Sequence, residues 1–300
     1  MNDVYSMLNK AQQNTKNEFQ MLSKEEYSEM MKGRREEAYK MSDEQALKLV
    51  HDPKSYLHFL EMMAKLDYTV TNTLLVMAQK PDATMLKDSS HWRNDNQYIK
   101  KGEKGIAILE PKGTYDREDG SIGTSYDVKY VFDVSQLSRP VRKRDVFYST
   151  QELISGLVCD NPANMVMTRN NGMGTIEYSP NDKTIYYAEG LSPQELISGL
   201  ARETCYAEID SVYQHPINRD DMKFQAESAA YVLCMKYNIP VNDTSFANEV
   251  TDKFRDMDGR SIKEELSHIG DIIQTVDERM EKGIYRVQNE KEQVQKGNER

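Results

Sequence analysis

The chain is poor in the residues that staple small proteins or build metal centres. Its three cysteines, Cys159, Cys205 and Cys234, are odd in number, far apart and free of any C-x-x-C spacing. That pattern suggests neither a disulfide framework nor a cysteine zinc site, and reads as buried free thiols. The five histidines, His51, His58, His91, His215 and His268, are scattered without metal-ligand spacing. No apolar run approaches the roughly 18 to 20 residues that span a bilayer. The opening MNDVYSMLNKAQQNTKNE lacks the basic-then-apolar order of a signal peptide. A cytoplasmic location with no membrane partner is therefore expected. There is no G-x-x-x-x-G-K-[ST] and no G-x-S-x-G, and GMG at 172–174 lacks the third glycine and following helix of a dinucleotide site. No cofactor is expected.

What is present is charge. The formal net charge is −10, with 29% of the 300 residues charged against 38% hydrophobic, and the mean hydropathy is −0.77. Those values predict a thin core and much solvated helix surface. The charge is uneven: residues 71–145 hold thirteen Lys and Arg against eleven Asp and Glu, whereas 146–244 hold six against thirteen. Phosphate binding needs local positive potential rather than a basic whole protein. A nucleic acid would therefore sit on 71–145 and be repelled by the acidic stretch 146–244.

Residues 22–66 are rich in Glu, Lys, Met, Leu and Ala, and predict helices broken near Lys40–Ser42 and at Asp52-Pro53. From Ile99 the pattern changes to strands at 106–111 and 123–135, joined by a loop with Asp119-Gly120 as its turn. SRPVRKRD (138–145) is polar, basic and proline-containing and reads as a linker. Beyond it, the glycine-rich GMGTIEYS and NDKTIYYAEG alternate like two strands of a hairpin around Pro180-Asn181-Asp182. SPQELISGLARETCYAEI (192–209) predicts a helix with Ser192 as N-cap, Pro193 in the first turn and Glu195 closing a capping box. QELISGL occurs at both 151 and 194, which reads as two similar helix starts rather than a duplication. Further helices are expected at 224–238 and over about 248–287.

Two constellations could carry chemistry. The first is HWRNDNQYIKKGEKG, where the one tryptophan, Trp92, lies among Arg93, Tyr98, Lys100, Lys101 and Lys104. Aromatics that stack on bases, interleaved with cations that track phosphates, are what single-stranded nucleic acid requires. A lone tryptophan followed by strands is, however, more often core than platform. The segment resembles the single-stranded-DNA-binding domain of the ArdC antirestriction family, and LtrC-like proteins of conjugative elements. The likeness is carried by Asn72, Gln79, Pro81, Ala83, Thr84, Trp92, Lys101, Gly102, Glu103, Lys104, Gly105, Ile106 and Pro111. Read from the residues alone, Gln79, Pro81 and Thr84 serve a helix exit.

The second is Arg202-Glu203-Thr204-Cys205-Tyr206. It resembles, in register, the H-E-x-x-H of the metallopeptidase domain that comes second in ArdC proteins, with both histidines replaced. Glu227, in QAESAAY, matches the family's third-ligand position. The resemblance thus implies a degenerate site of Arg202, Glu203, Tyr206 and Glu227, with no metal ligand set and no peptidase activity. Arg202 and Tyr206 share a helix face, and an Arg202–Glu227 ion pair is expected where the metal would have cross-linked two helices.

The expectation is an α+β protein in which a helical and β-hairpin single-stranded-DNA-binding module precedes a zincin-like α+β module. The boundaries are a mobile leader at 1–20, the DNA-binding domain at 21–140, a linker at 141–145, the peptidase-like domain at 146–287 and a disordered tail at 288–300. The implied role is protecting or handling the transferred DNA of a mobile element, including evasion of restriction, with an element-encoded or host protein as a further partner. Two rivals stay open: a protein-interaction module without DNA binding, and a metallopeptidase with atypical ligands.

Overall fold

A computed structural model describes residues 23–117, 119–141, 146–169, 176–241 and 243–298. The expected leader at 1–20 and most of the 141–145 linker lie outside the described residues. Helices α1 (Lys24–Leu49), α2 (Pro53–Leu66) and α3 (Val70–Gln79) lead into a short strand β1 (Leu86–Lys87) and helix α4 (Ser89–Asn94). Next come the hairpin β2 (Ile106–Asp116) and β3 (Ile122–Asp133), then α5 (Thr150–Val158), β4 (Asn164–Thr168), β5 (Ile176–Ser179) and β6 (Thr184–Ala188). The chain closes with α6 (Pro193–Ser211), α7 (Arg219–Lys236), a one-turn α8 (Val250–Lys253) and α9 (Gly259–Asn298). The two sheets are ordered β1-β3-β2 and β4-β6-β5. No described helix is long and apolar enough to cross a membrane.

The chain divides into two compact units. One comprises the described residues up to Ala38 with those of 109–128, the other Tyr39–Ile108 with the described residues from Lys129 onward. In the first, Arg35 and Lys112 reach Asp127 at 3.2 and 2.6 Å, and together they hold its carboxyl below the usual range, the Lys112 hydrogen bond contributing most. In the second, one core takes in residues on both sides of 141–145. Tyr56 is fully buried, stacks 5.2 Å from Phe224 and donates to Ser228 Oγ at 2.8 Å. A division at 141–145 would therefore run through a shared core.

Local signals account for most boundaries. Asp52 accepts from the Ser55 N–H as the α2 cap, with Pro53 in the first turn. Capping boxes open both α5 (Ser149, Glu152) and α6 (Ser192, Glu195). The two QELISGL copies also share a glycine at a tight contact. An added Cβ on Gly156 would meet the Met280 carbonyl oxygen on α9 at 3.0 Å, and one on Gly199 would collide with Ile176. The repeat thus encodes a cap followed by a close approach, used twice.

Three expectations change. The break near Lys40–Ser42 is absent: α1 runs through it, because the buried Ser42 hydroxyl donates to the Tyr39 carbonyl one turn back and accepts from Lys263. The helical run from 248 is interrupted after α8, where Asp256 takes φ 64° and Asp258 caps α9 by accepting from the Ser261 N–H. Finally, α9 continues to Asn298, through the segment read as a disordered tail, since Gln, Glu and Lys extend a helix at little cost once it is anchored.

Glu152 provides a pH prediction. The Ser149 hydroxyl and N–H, with Lys291 nearby, hold its carboxyl down at about 2. The folded value lies below the unfolded one, so the unfolded chain binds more protons in between. Stability present above the ordinary carboxylate pKa should be lost as pH falls toward 2, and Glu152→Gln should flatten that part of the acid-unfolding curve measured by circular dichroism.

Candidate functional site

The basic and aromatic segment is built on α4. Asp88 caps this helix, accepting from Ser90 Oγ and the His91 N–H at 2.6 and 2.8 Å; those bonds, that of Ser90 first, hold its carboxyl well below the usual range. The cap aims Trp92 inward. Its ring is 1% exposed and its Nε1 donates to the Phe132 carbonyl at 2.8 Å, while Lys87 Nζ sits 5.2 Å from the ring centroid. A ring so enclosed has no free face for a base, and Trp92 leaves the stacking set for the core. The exposed aromatic is Tyr98, 58% accessible.

The turn beyond Tyr98 is pinned from beneath. Gln136 Nε2 donates to Glu103 Oε2 and to the Lys104 carbonyl, both at 2.9 Å. Gly102 adopts φ 89°, and an added Cβ on Gly105 would press on Tyr130 Cβ at 2.8 Å, so both positions require glycine. Arg93, Lys101 and Lys104 extend to solvent. Lys100 is exposed too, but its ammonium is spent on the Ser135 carbonyl at 2.8 Å. Lys101→Ala should therefore weaken binding of an anionic polymer more than Lys100→Ala does, measured by fluorescence anisotropy.

Other residues of the sequence likeness serve the scaffold. Gln79 pairs with Ala107, donating to its carbonyl and accepting from its N–H, both at 2.9 Å. The Thr84 and Met85 N–H groups donate to Asp133, a fully buried carboxylate. Burial pushes that carboxyl up, but its hydrogen bonds outweigh burial and keep it low.

At the degenerate motif, α6 lies against the outer edge of β5. Glu203 is completely buried, and both its oxygens are taken: Oε1 accepts from Arg202 Nε at 2.8 Å, Oε2 from Arg219 at 2.7 Å and from the Tyr178 N–H at 2.8 Å. The two arginines also reach the strand. Arg219 donates to the Tyr178 carbonyl at 3.0 Å and Arg202 to that of Ile176 at 3.4 Å. The Arg219 guanidinium stacks 3.8 Å from the Tyr206 ring centroid. Because β5 ends its sheet, these bonds occupy groups that would otherwise face a further strand.

The expected Arg202–Glu227 pair is not formed. Arg202 turns back to Glu203, whose complete burial makes it the carboxylate most in need of a counter-charge. Glu227 is half-buried without a hydrogen bond among the described residues, and burial raises its pKa against the pull of Arg202. Burial, then Glu227, pushes the Tyr206 phenol up to about 12. Arg202 and Glu227 line a cleft of about 300 Å³. Arg219, seventeen positions beyond Arg202, was not foreseen; its one sequence signal is a cation at a helix start, where the helix dipole disfavours it.

A metal does not fit this arrangement. Glu203 is fully buried with both oxygens accepting hydrogen bonds, two guanidiniums occupy its surroundings, and the described residues contain no group of three or more His, Cys, Asp or Glu disposed around an ion.

Fold and site define a mixed α+β chain with an exposed basic turn in one region and an arginine-locked glutamate at a sheet edge in another. No known protein family and no curated protein matches it. Among solved structures it is similar to the antirestriction protein ArdC of plasmid R388. The Mn(II)-bound crystal structure gives a TM-score of 0.48 at 16% identity, covering 72% of this chain and 83% of that one. The metal-free structure gives 0.48 at 20%, covering 71% and 84%. A likeness at that level is one of outline and assigns no activity.

Proposed function

We propose that this chain binds single-stranded DNA through Arg93, Tyr98, Lys101 and Lys104, with Lys100 and Trp92 supporting the turn, and that it protects or handles the transferred DNA of a mobile element. The observation that carries the reading is the exposure of those side chains, Arg93 on α4 and the others on or next to the turn held by Gln136, within the one net-positive stretch of an acidic protein. Tyr98 offers a π-face to any base, and the cations on either side suit a backbone passing over it. The resemblance of 72–111 to an antirestriction DNA-binding domain points the same way. The peptidase-like portion serves as scaffold: a glutamate with no exposed surface, already accepting from two arginines and a backbone N–H, is withheld from the water it would have to activate.

The test is an anisotropy titration of a labelled single-stranded oligonucleotide at low salt, with a duplex of the same length as competitor. Saturable binding that the duplex competes for poorly supports the reading. Undetectable binding at low salt overturns it and favours a protein partner instead, for which Phe147, Val212 and Tyr285, together with Tyr115 and Ile122 of the β2–β3 hairpin, are exposed apolar groups.

A further inference from the structure

The cleft beside the sealed β5 edge is lined by both apolar and acidic residues. Ala230 and Tyr231 of α7, with Val241 and Phe246, give its apolar floor; Glu195, Glu227 and Asp243 are its acidic residues, against one lining cation, Arg202. Arg202 and Arg219 share Glu203, giving the triad a formal charge of +1, and the three carboxylates then leave the cleft at −2. Lys223, the other cation near Glu227 and Asp243, is paired with Glu249 at 3.2 Å.

The carboxylates differ in what they have left to offer. Glu195 is engaged by Ser192 as a helix cap, accepting from its N–H and hydroxyl. Asp243 accepts from the N–H and hydroxyl of Ser245. Glu227 accepts no hydrogen bond from the described residues, although it is half withdrawn from water. A half-buried carboxylate without a donor is costly, and a cleft of about 300 Å³ lies at the small end of the ligand-binding range.

We infer that this cleft binds an aliphatic primary ammonium group, its methylenes on the Ala230, Tyr231, Val241 and Phe246 floor and its NH₃⁺ donating to Glu227 under the field of Glu195 and Asp243. The pairing of apolar stem and charged head is that by which a lysine side chain covers apolar surface while keeping its ammonium solvated. The same chemistry is offered by a free alkyl diamine and by a lysine of a partner protein. The cleft shares no residue with the Tyr98 turn or its lysines, so ammonium binding and DNA binding stand or fall separately.

The experiment is methyl-detected NMR of the full chain, observing Ala230 and Val241 during titration with n-butylammonium, putrescine, Nα-acetyl-lysinamide and the uncharged n-butanol. Saturable shifts of both methyls by the ammonium probes, and none by butanol, are expected. A preference for putrescine identifies a free diamine as the ligand, and one for the lysinamide a partner's side chain. Glu227→Gln should weaken ammonium binding by about tenfold or more, since it removes a charge-assisted bond. Ser198→Phe, which fills the cleft without altering its charge, should abolish binding while the spectrum stays folded. Butanol binding as tightly as butylammonium, unchanged affinity in Glu227→Gln, or no shift at about 10 mM n-butylammonium, where even a millimolar site would be filled, would each overturn the inference.

Discussion

Replacing Arg219 by alanine is expected to cost about 3–5 kcal/mol of folding stability, the range for removing one partner of a buried ion pair. Glu203 has no exposed surface, and Arg219 supplies one of the two cations that neutralise it. The same guanidinium donates to the Tyr178 carbonyl and stacks on Tyr206, so the substitution removes a strand contact and a cation–π contact as well. Arg202→Ala should cost less, because Arg202 is 41% exposed and its loss leaves Glu203 with Arg219 and the Tyr178 N–H. Arg219→Lys should recover little, since an ammonium cannot bridge the same groups in one plane. Urea unfolding of the three variants checks the order; a loss below about 1 kcal/mol in Arg219→Ala would show that Glu203 is not held as described.

Trp92→Ala should be comparably damaging, by about 3–5 kcal/mol, as expected for an enclosed tryptophan, and for a reason unrelated to nucleic acid. The ring fills the space behind α4, and its Nε1 satisfies the Phe132 carbonyl of β3. Trp92→Phe should refill part of that space and retain DNA affinity within about threefold, whereas Tyr98→Ala should lose affinity by about 1–3 kcal/mol, the worth of one stacked base, with little change in melting temperature. A Trp92→Phe protein that is stable yet blind to DNA would return the stacking role to Trp92.

How far these roles could be read in advance depends on whether each is set locally. The caps at Ser149, Asp52 and Ser192 are decided by residues within one turn, and the strands flanking Pro180-Asn181-Asp182 do pair antiparallel, Tyr178 opposite Ile185. For Trp92 only the general tendency of a lone tryptophan toward the core was legible; what fixes it in place is Asp88 capping α4 and a carbonyl forty positions on. β4 also escaped. Its five residues, NMVMT, carry no turn signal of their own and become a strand through parallel pairing with β6. The Arg202–Glu227 expectation left out the β5 edge beside α6 and a second arginine, Arg219. The carboxylate with no exposed surface takes precedence over the half-buried one.

The central claim is that Arg93, Lys101 and Lys104, flanking Tyr98, form a surface for single-stranded DNA. The most direct measurement is the salt dependence of oligonucleotide binding for the native chain and for the Arg93→Ala, Lys101→Ala, Lys104→Ala triple variant. With three to five phosphates neutralised at about 0.7 counterion each, log K against log salt should fall with a slope of about −2 to −3.5 in the native chain. The triple variant should be flatter by about 2, with an unchanged melting temperature, because none of the three side chains is buried. Equal slopes for the two proteins, or a native slope near zero, would contradict the account.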